Sequence, residues 1–368
     1  MYSQQELDDA VASGVITAEA AAALRAHVEG QRSTAIPDEE QFRLITGFND
    51  IFVSIAAAIL LFALGWIGQA IGQAAGLVVD PRGPSPLAPL AVAAAAWPLA
   101  LFFTAKRRMA LPSILLLLAF VGGVFLTAAF ALVLGVGPGM VDNNPQLGGV
   151  IAAVAAAIAA GAAWLHWRRF RVPITVAAGA GSVAAIAVGL LVAALGENAE
   201  QAKNVILGLV LFLGIGMFLF AMWWDSSDRA RITRRSDVAF WLHLLAAPMI
   251  VHPVFTLLGL TQGHIGVPEG LAVIALYIVL GITALAVDRR ALLVSALAYV
   301  LYALSSLFKQ FGAVELNIAL TALVIGSALL LLSAFWHQAR GAIVRPLPEN
   351  LRNRLPILDR TAVIQPAA

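Results

Sequence analysis

Trp164-Leu165-His166-Trp167-Arg168-Arg169-Phe170 is a short basic turn set between two long apolar runs, 147–166 and 172–195. Working outward, Arg107, Arg229 and Arg289 sit in comparable turns spaced, with Arg168, about sixty residues apart. A helix needs roughly 20 apolar residues to cross a hydrocarbon core about 30 Å thick, so two spans and their connections fill sixty residues and return the chain to the same side. The spacing therefore predicts an all-α fold, a polytopic transmembrane helical bundle. Apolar run length places ten spans, at 50–72, 87–104, 111–135, 147–166, 172–195, 203–224, 238–260, 268–287, 291–308 and 314–336.

Composition agrees. A hydrophobic fraction of 61% with only 12% charged residues, and a mean hydropathy of +0.88, lie outside the range of soluble domains. The net charge of +2 is too small, and the basic residues too confined to membrane-flanking turns, for a nucleic-acid surface; the bilayer is the expected partner. Absence of cysteine excludes disulfides, thiolate nucleophiles and zinc-thiolate sites. The first ten residues lack a basic n-region and an apolar h-region, so the first span is expected to act as the insertion signal.

Sorted by these spans, 20 of the 23 Lys and Arg fall on one side and only Arg82, Lys203 and Lys309 on the other. By the positive-inside rule both termini are expected in the cytoplasm. Trp164, Trp167, Trp223, Trp224, Trp241 and Trp336 border the same basic turns, as an interfacial aromatic belt would. One-sided basic turns also suggest five parallel two-helix hairpins rather than an inverted repeat. The expected organisation is a cytoplasmic N-terminal helical module over 1–36, a juxtamembrane helix over 37–49, the bundle over 50–336 and a Pro-rich cytoplasmic tail over 337–368. Apolar residues between the tail prolines predict that 346–358 lies against the cytoplasmic face.

Within the bundle, Ala177, Gly181, Ala185, Gly189 and Ala193 put small residues at every fourth position of span 5, the pattern of close backbone packing in lipid. Spans 4 and 5 are expected inside, with the Leu-rich spans 3 and 10 facing lipid.

The residues that could carry chemistry are few. No phosphate-binding loop, His-Glu-x-x-His motif, dinucleotide fingerprint or nucleophile elbow is present, so no catalytic residue, metal site or cofactor is assigned. The densest polar stretch is 225–237, where Asp225, Asp228 and Asp237 interleave with Arg229, Arg231, Arg234 and Arg235. Orientation needs the arginines but not the acids. The acids fit either a solvated loop or one fixed by ion pairs and docked termini. Span 7 adds His243, Pro248 and His252. Ionisable groups at membrane depth are candidate functional positions, against the competing account of a satisfied interhelical hydrogen bond. Nine residues of helix set the two histidines on opposite faces, so they are not expected to share a metal. His243 lies near the interface within reach of the preceding acids. His252 lies past the midplane, in an expected polar pocket opened by a Pro248 bend, where it should meet a polar group of another helix. A ring with an unperturbed pKa of about 6.5 could couple function to pH there.

Leu7, then Gly14-Val15-Ile16-Thr17, Ala20 and Leu24, followed by a linker and a multi-span Ala/Leu-rich region, resembles the bacterial membrane-protein family DUF2157 over the first 70 residues or so. The resemblance implies a bacterial inner-membrane protein and transfers no site residues. The leading functional expectation is a transporter or membrane-embedded binding protein for a small molecule, with span 7 lining the site. One alternative is an accessory or sensory protein engaging a cytoplasmic protein partner through its termini and the 225–237 loop. The other is a membrane enzyme acting on a lipid-soluble substrate through His243 or His252. A water-filled cavity at span 7 favours the first, a solid bundle the second, and convergence of a histidine with an acid from another helix the third.

Overall fold

In the computed structural model, residues 10–24, 48–229, 231, 233–259, 267–310 and 317–358 are described. The chain divides into two units, Met1–Phe42 and Arg43–Ala368. In the first, a helical turn over 10–12 stops at Gly14 (φ +75°). A helix over 18–24 then starts where Thr17 Oγ1 accepts from Ala20 N–H at 3.1 Å, the N-cap role expected of a threonine before an alanine run. Ser3 and Glu6, whose spacing in the sequence fits a capping box, the linker and most of the expected 37–49 helix lie outside the described residues.

The second unit is helical, with no strand among its described residues. Its main helices are α1 (Phe48–Ala74), α2 (Leu87–Ala100, running into a π-helical turn Leu101–Lys106), α3 (Ala110–Val136), α4 (Pro145–Phe170), α5 (Ile174–Leu195), α6 (Lys203–Ser226), α7 (Arg234–Leu257), α8 (Val267–Val287), α9 (Ala291–Gln310), α10 (Asn317–Ala334) and α11 (Trp336–Val344). These match the ten apolar runs closely. Among the described residues eight, α1 to α8, are long and apolar enough to cross a membrane. The α10–α11 pair makes a ninth if taken as one span, and α9 carries a shorter apolar stretch over Leu293–Ser305. The last expected span, 314–336, corresponds to α10 and ends where the chain bends by 73° between Ala334 and Trp336.

Turn chemistry explains the ends. Asn144 accepts from Leu147 N–H at 3.2 Å with Pro145 at the first helical position, so Asn-Asn-Pro is a helix start. Gly137 (φ +102°) ends α3. Gln69, polar within span 1, has a structural use: it donates to Gly83 O at 2.9 Å and accepts from Ser85 N–H at 2.8 Å, stapling the α1–α2 turn. Each of the four basic turns holds one non-glycine residue in the left-handed region: Arg108 (φ 54°), Arg171 (56°), Arg231 (55°) and Asp288 (59°).

α4 and α5 pack closely through their small residues, as the pattern predicts. A Cβ on Gly189 would stand 2.8 Å from Ala153 N and 2.9 Å from Gly149 O. The burial order differs from expectation, however. α7 and α4 are the most buried of the long apolar helices, whereas α5 is mostly half-buried, its small residues packing chiefly on α4, with Ala177 and Gly181 turned to α7. The core around α7 joins Ala177 of α5 and Met217 and Ala221 of α6 to Val238, Leu242 and Ala246.

Candidate functional site

The 225–237 stretch proves to be one side of a buried ionic network between α6, α7 and the α8–α9 turn. Asp225, in the last turn of α6, is fully buried. Arg289, from the α8–α9 turn, grips it with Nη2 on Oδ1 at 2.6 Å and Nε on Oδ2 at 3.1 Å, and donates to Ser236 O at 3.0 Å. Such a bidentate pair satisfies a carboxylate that could not otherwise remain in an apolar core. His243, also fully buried, brings Nε2 to 3.3 Å from Asp225 Oδ2, an electrostatic approach rather than an aligned hydrogen bond. Its ring meets Phe218 edge-on at 5.2 Å.

A second acid extends the network. Asp288 Oδ2 accepts from Arg231 Nη1 at 2.9 Å, while Oδ1 accepts from Trp336 Nε1 at 2.8 Å. Arg231 also donates to the carbonyls of Val287 and Asp288, both at 3.1 Å. Arg340 of α11, 2% exposed, approaches Asp288 at 3.8 Å and donates to Pro356 O (2.7 Å) and Ile357 O (3.2 Å). Arg229 closes the same contact from the α6–α7 turn, donating to Leu355 O at 2.9 Å and accepting from Ile357 N–H at 3.3 Å. Val287, Val344 and Leu355 form the apolar floor beneath. The tail segment expected to lie on the bundle thus docks by main-chain hydrogen bonds as well as by its leucines.

Several sequence expectations are refined here. Asp225 and Asp228 belong to a fixed loop: Asp228 Oδ2 accepts from Thr233 N–H and Oγ1 at 2.9 and 2.7 Å, and Thr233 caps α7. Arg234 and Arg235 are exposed, and Asp237 is half-buried in the first turn of α7. His243 reaches the preceding acids as expected. His252 lies on the opposite, exposed side of α7, not in an enclosed pocket. It does meet a polar group of another helix, with Nδ1 2.7 Å from the Tyr299 hydroxyl of α9. Pro248 sits within the continuous helix at an exposed position. Trp336 is no belt residue. It is buried at 3% exposure because its indole N–H serves Asp288, while Trp164 and Trp223 are exposed as a belt requires.

Sequence reasoning missed Arg289, Asp288, Trp336 and Arg340 as members of the site. The one local signal was an acid, Asp288, inside a turn that needed only bases for topology. Two open apolar grooves run along the helices, one between α4 and α5 beside Gly149 and Gly189, the other between α1 and α2 beside Leu61 and Val92. Neither touches α7. No cluster of His, Asp and Glu suited to a metal ion occurs among the described residues. Comparison with known protein families, curated proteins and solved structures finds no match.

Proposed function

We propose that this is a multi-pass membrane protein with an accessory or sensory role, in which the end of the bundle carrying the basic turns presents a fixed surface to a cytoplasmic partner. The observation that carries this reading is the network joining Asp225, Arg289, Asp288 and Arg340 to the tail carbonyls of Pro356 and Ile357. It packs shut the end of α6–α8 that a transporter must open in turn. The leading transporter expectation draws less support, since neither of the two apolar grooves is lined by α7. The enzyme alternative gains the His243–Asp225 convergence. Both groups are fully buried, however, and Arg289 occupies both carboxylate oxygens, which suits a structural ion pair better than a proton-transfer site.

The reading includes ten spans, both termini in the cytoplasm, and a bacterial inner membrane. Five parallel hairpins fit the left-handed residue that recurs in every basic turn. The native chain lacks cysteine, so a single Leu242→Cys gives an unambiguous test. The accessory reading expects no labelling by a membrane-impermeant maleimide in inside-out vesicles, while Arg234→Cys, at an exposed position of the basic turn, labels. Labelling at 242 would restore alternating access or a reachable catalytic pocket.

A further inference from the structure

The cations of the first two basic turns all face outward, whereas most of those in the last two do not. Lys106, Arg107 and Arg108, and Arg168, Arg169 and Arg171, are all exposed. No Asp or Glu lies between Asp80 and Asp142 or between Asp142 and Glu197, and these three acids stand at the opposite ends of the helices. Asp50, which opens α1 at the same end, is buried. Among the described residues none of the six cations has a carboxylate partner. In the later turns, by contrast, Arg231 and Arg289 hold buried acids, Arg229 holds the tail, and Arg290 lies 4.8 Å over Trp336.

Aromatic faces position the outward set. Arg168 lies 4.9 Å over Trp164, Arg171 5.4 Å over Trp167 and Arg169 5.5 Å over Phe170, while Arg107 and Lys106 lie 5.5 and 5.7 Å from the Phe102 ring. The two turns are neighbours, since Phe103 and Phe170 pack against one group of core residues, Leu61, Ala96, Ala100 and Leu116. A guanidinium stacked on a ring keeps in-plane N–H groups free for phosphate oxygens. Directly toward the apolar helices, Leu101, Phe102, Trp164 and Leu165 are exposed. An occupant must therefore be anionic at one end and apolar at the other.

We propose that turns 106–108 and 168–171 form one docking face for anionic phospholipids, with the phosphodiester on the guanidiniums and the acyl chains against Phe102 and Trp164. The proposal stands whether the protein senses, transports or catalyses. Full-length protein in non-ionic detergent, titrated with phosphatidylglycerol or phosphatidylcholine and read by native mass spectrometry, should hold the anionic lipid at least roughly tenfold more tightly, less so as salt rises. Arg168→Gln/Arg169→Gln/Arg171→Gln should lose that preference, whereas Arg234→Gln/Arg235→Gln, an equivalent change at exposed α7 residues, should keep it. Equal binding of the two lipids by the native protein, an unchanged preference in the triple variant, or an equal loss in the control pair overturns the proposal. So does displacement by matched inorganic phosphate, which would mark a free-anion site. Should the triple variant not fold, Arg168→Gln and Arg171→Gln made singly should each weaken the preference, and an unchanged preference in both overturns the proposal.

Discussion

Arg289 closes on Asp225 across 64 positions of sequence, with both carboxylate oxygens engaged and both side chains removed from solvent. A buried pair of this kind contributes little net stability when whole, but breaking it leaves an uncompensated charge. Arg289→Gln should therefore ease unfolding in detergent by about 3–5 kcal/mol, whereas Arg168→Gln, at an exposed position, should change it by less than about 0.5 kcal/mol. Asp225→Leu/Arg289→Met should recover much of the loss. Equal thermal unfolding of the two single variants would contradict the network.

Close packing of α4 on α5 gives a prediction independent of charge. A methyl added at Gly149 would meet the backbone of Ala193 and Gly189, but nothing lies within 4 Å of one added at Gly161. Gly149→Ala should destabilise by about 1–3 kcal/mol, and Gly161→Ala should be neutral or stabilising by up to about 1 kcal/mol. The readout is denaturant unfolding of the two variants side by side; the reverse order would show that the helices approach elsewhere.

The docked tail should be visible by hydrogen exchange. The Ile357 amide, bonded to Arg229 O, should exchange slowly in the intact protein. Arg340→Ala, which removes the donors to Pro356 and Ile357 carbonyls, should speed exchange and proteolysis over 346–358. Rapid exchange there in the native protein would remove the strap from the account.

His252→Leu and Tyr299→Phe each delete one partner of the 2.7 Å contact. Because His252 is exposed on the bundle, each change should cost no more than about 1.5 kcal/mol, the worth of one hydrogen bond. A larger loss in melting experiments would mean that the pair anchors α9 to α7.

Much of the fold was legible in residue order. Apolar run lengths and the basic turns locate most helix ends to within a few residues, because hydrocarbon thickness is a local constraint. The site was legible in part. Asp225 and His243 stand out because charges and rings are costly near lipid. Arg289 does not, since an arginine needed for topology and one reaching into the core look alike until a partner 64 positions away is brought against it. The α10–α11 bend left no mark either, because Trp336 reads equally well as a belt residue and as a buried donor.

The basic turns lying on a single side of the membrane is the claim on which the network's location and the accessory reading both depend. Reporter fusions after Arg168, Arg289 and Asn143 test it directly. The first two should report the cytoplasm and the third the periplasm. A periplasmic signal at Arg168 or Arg289 would contradict the account.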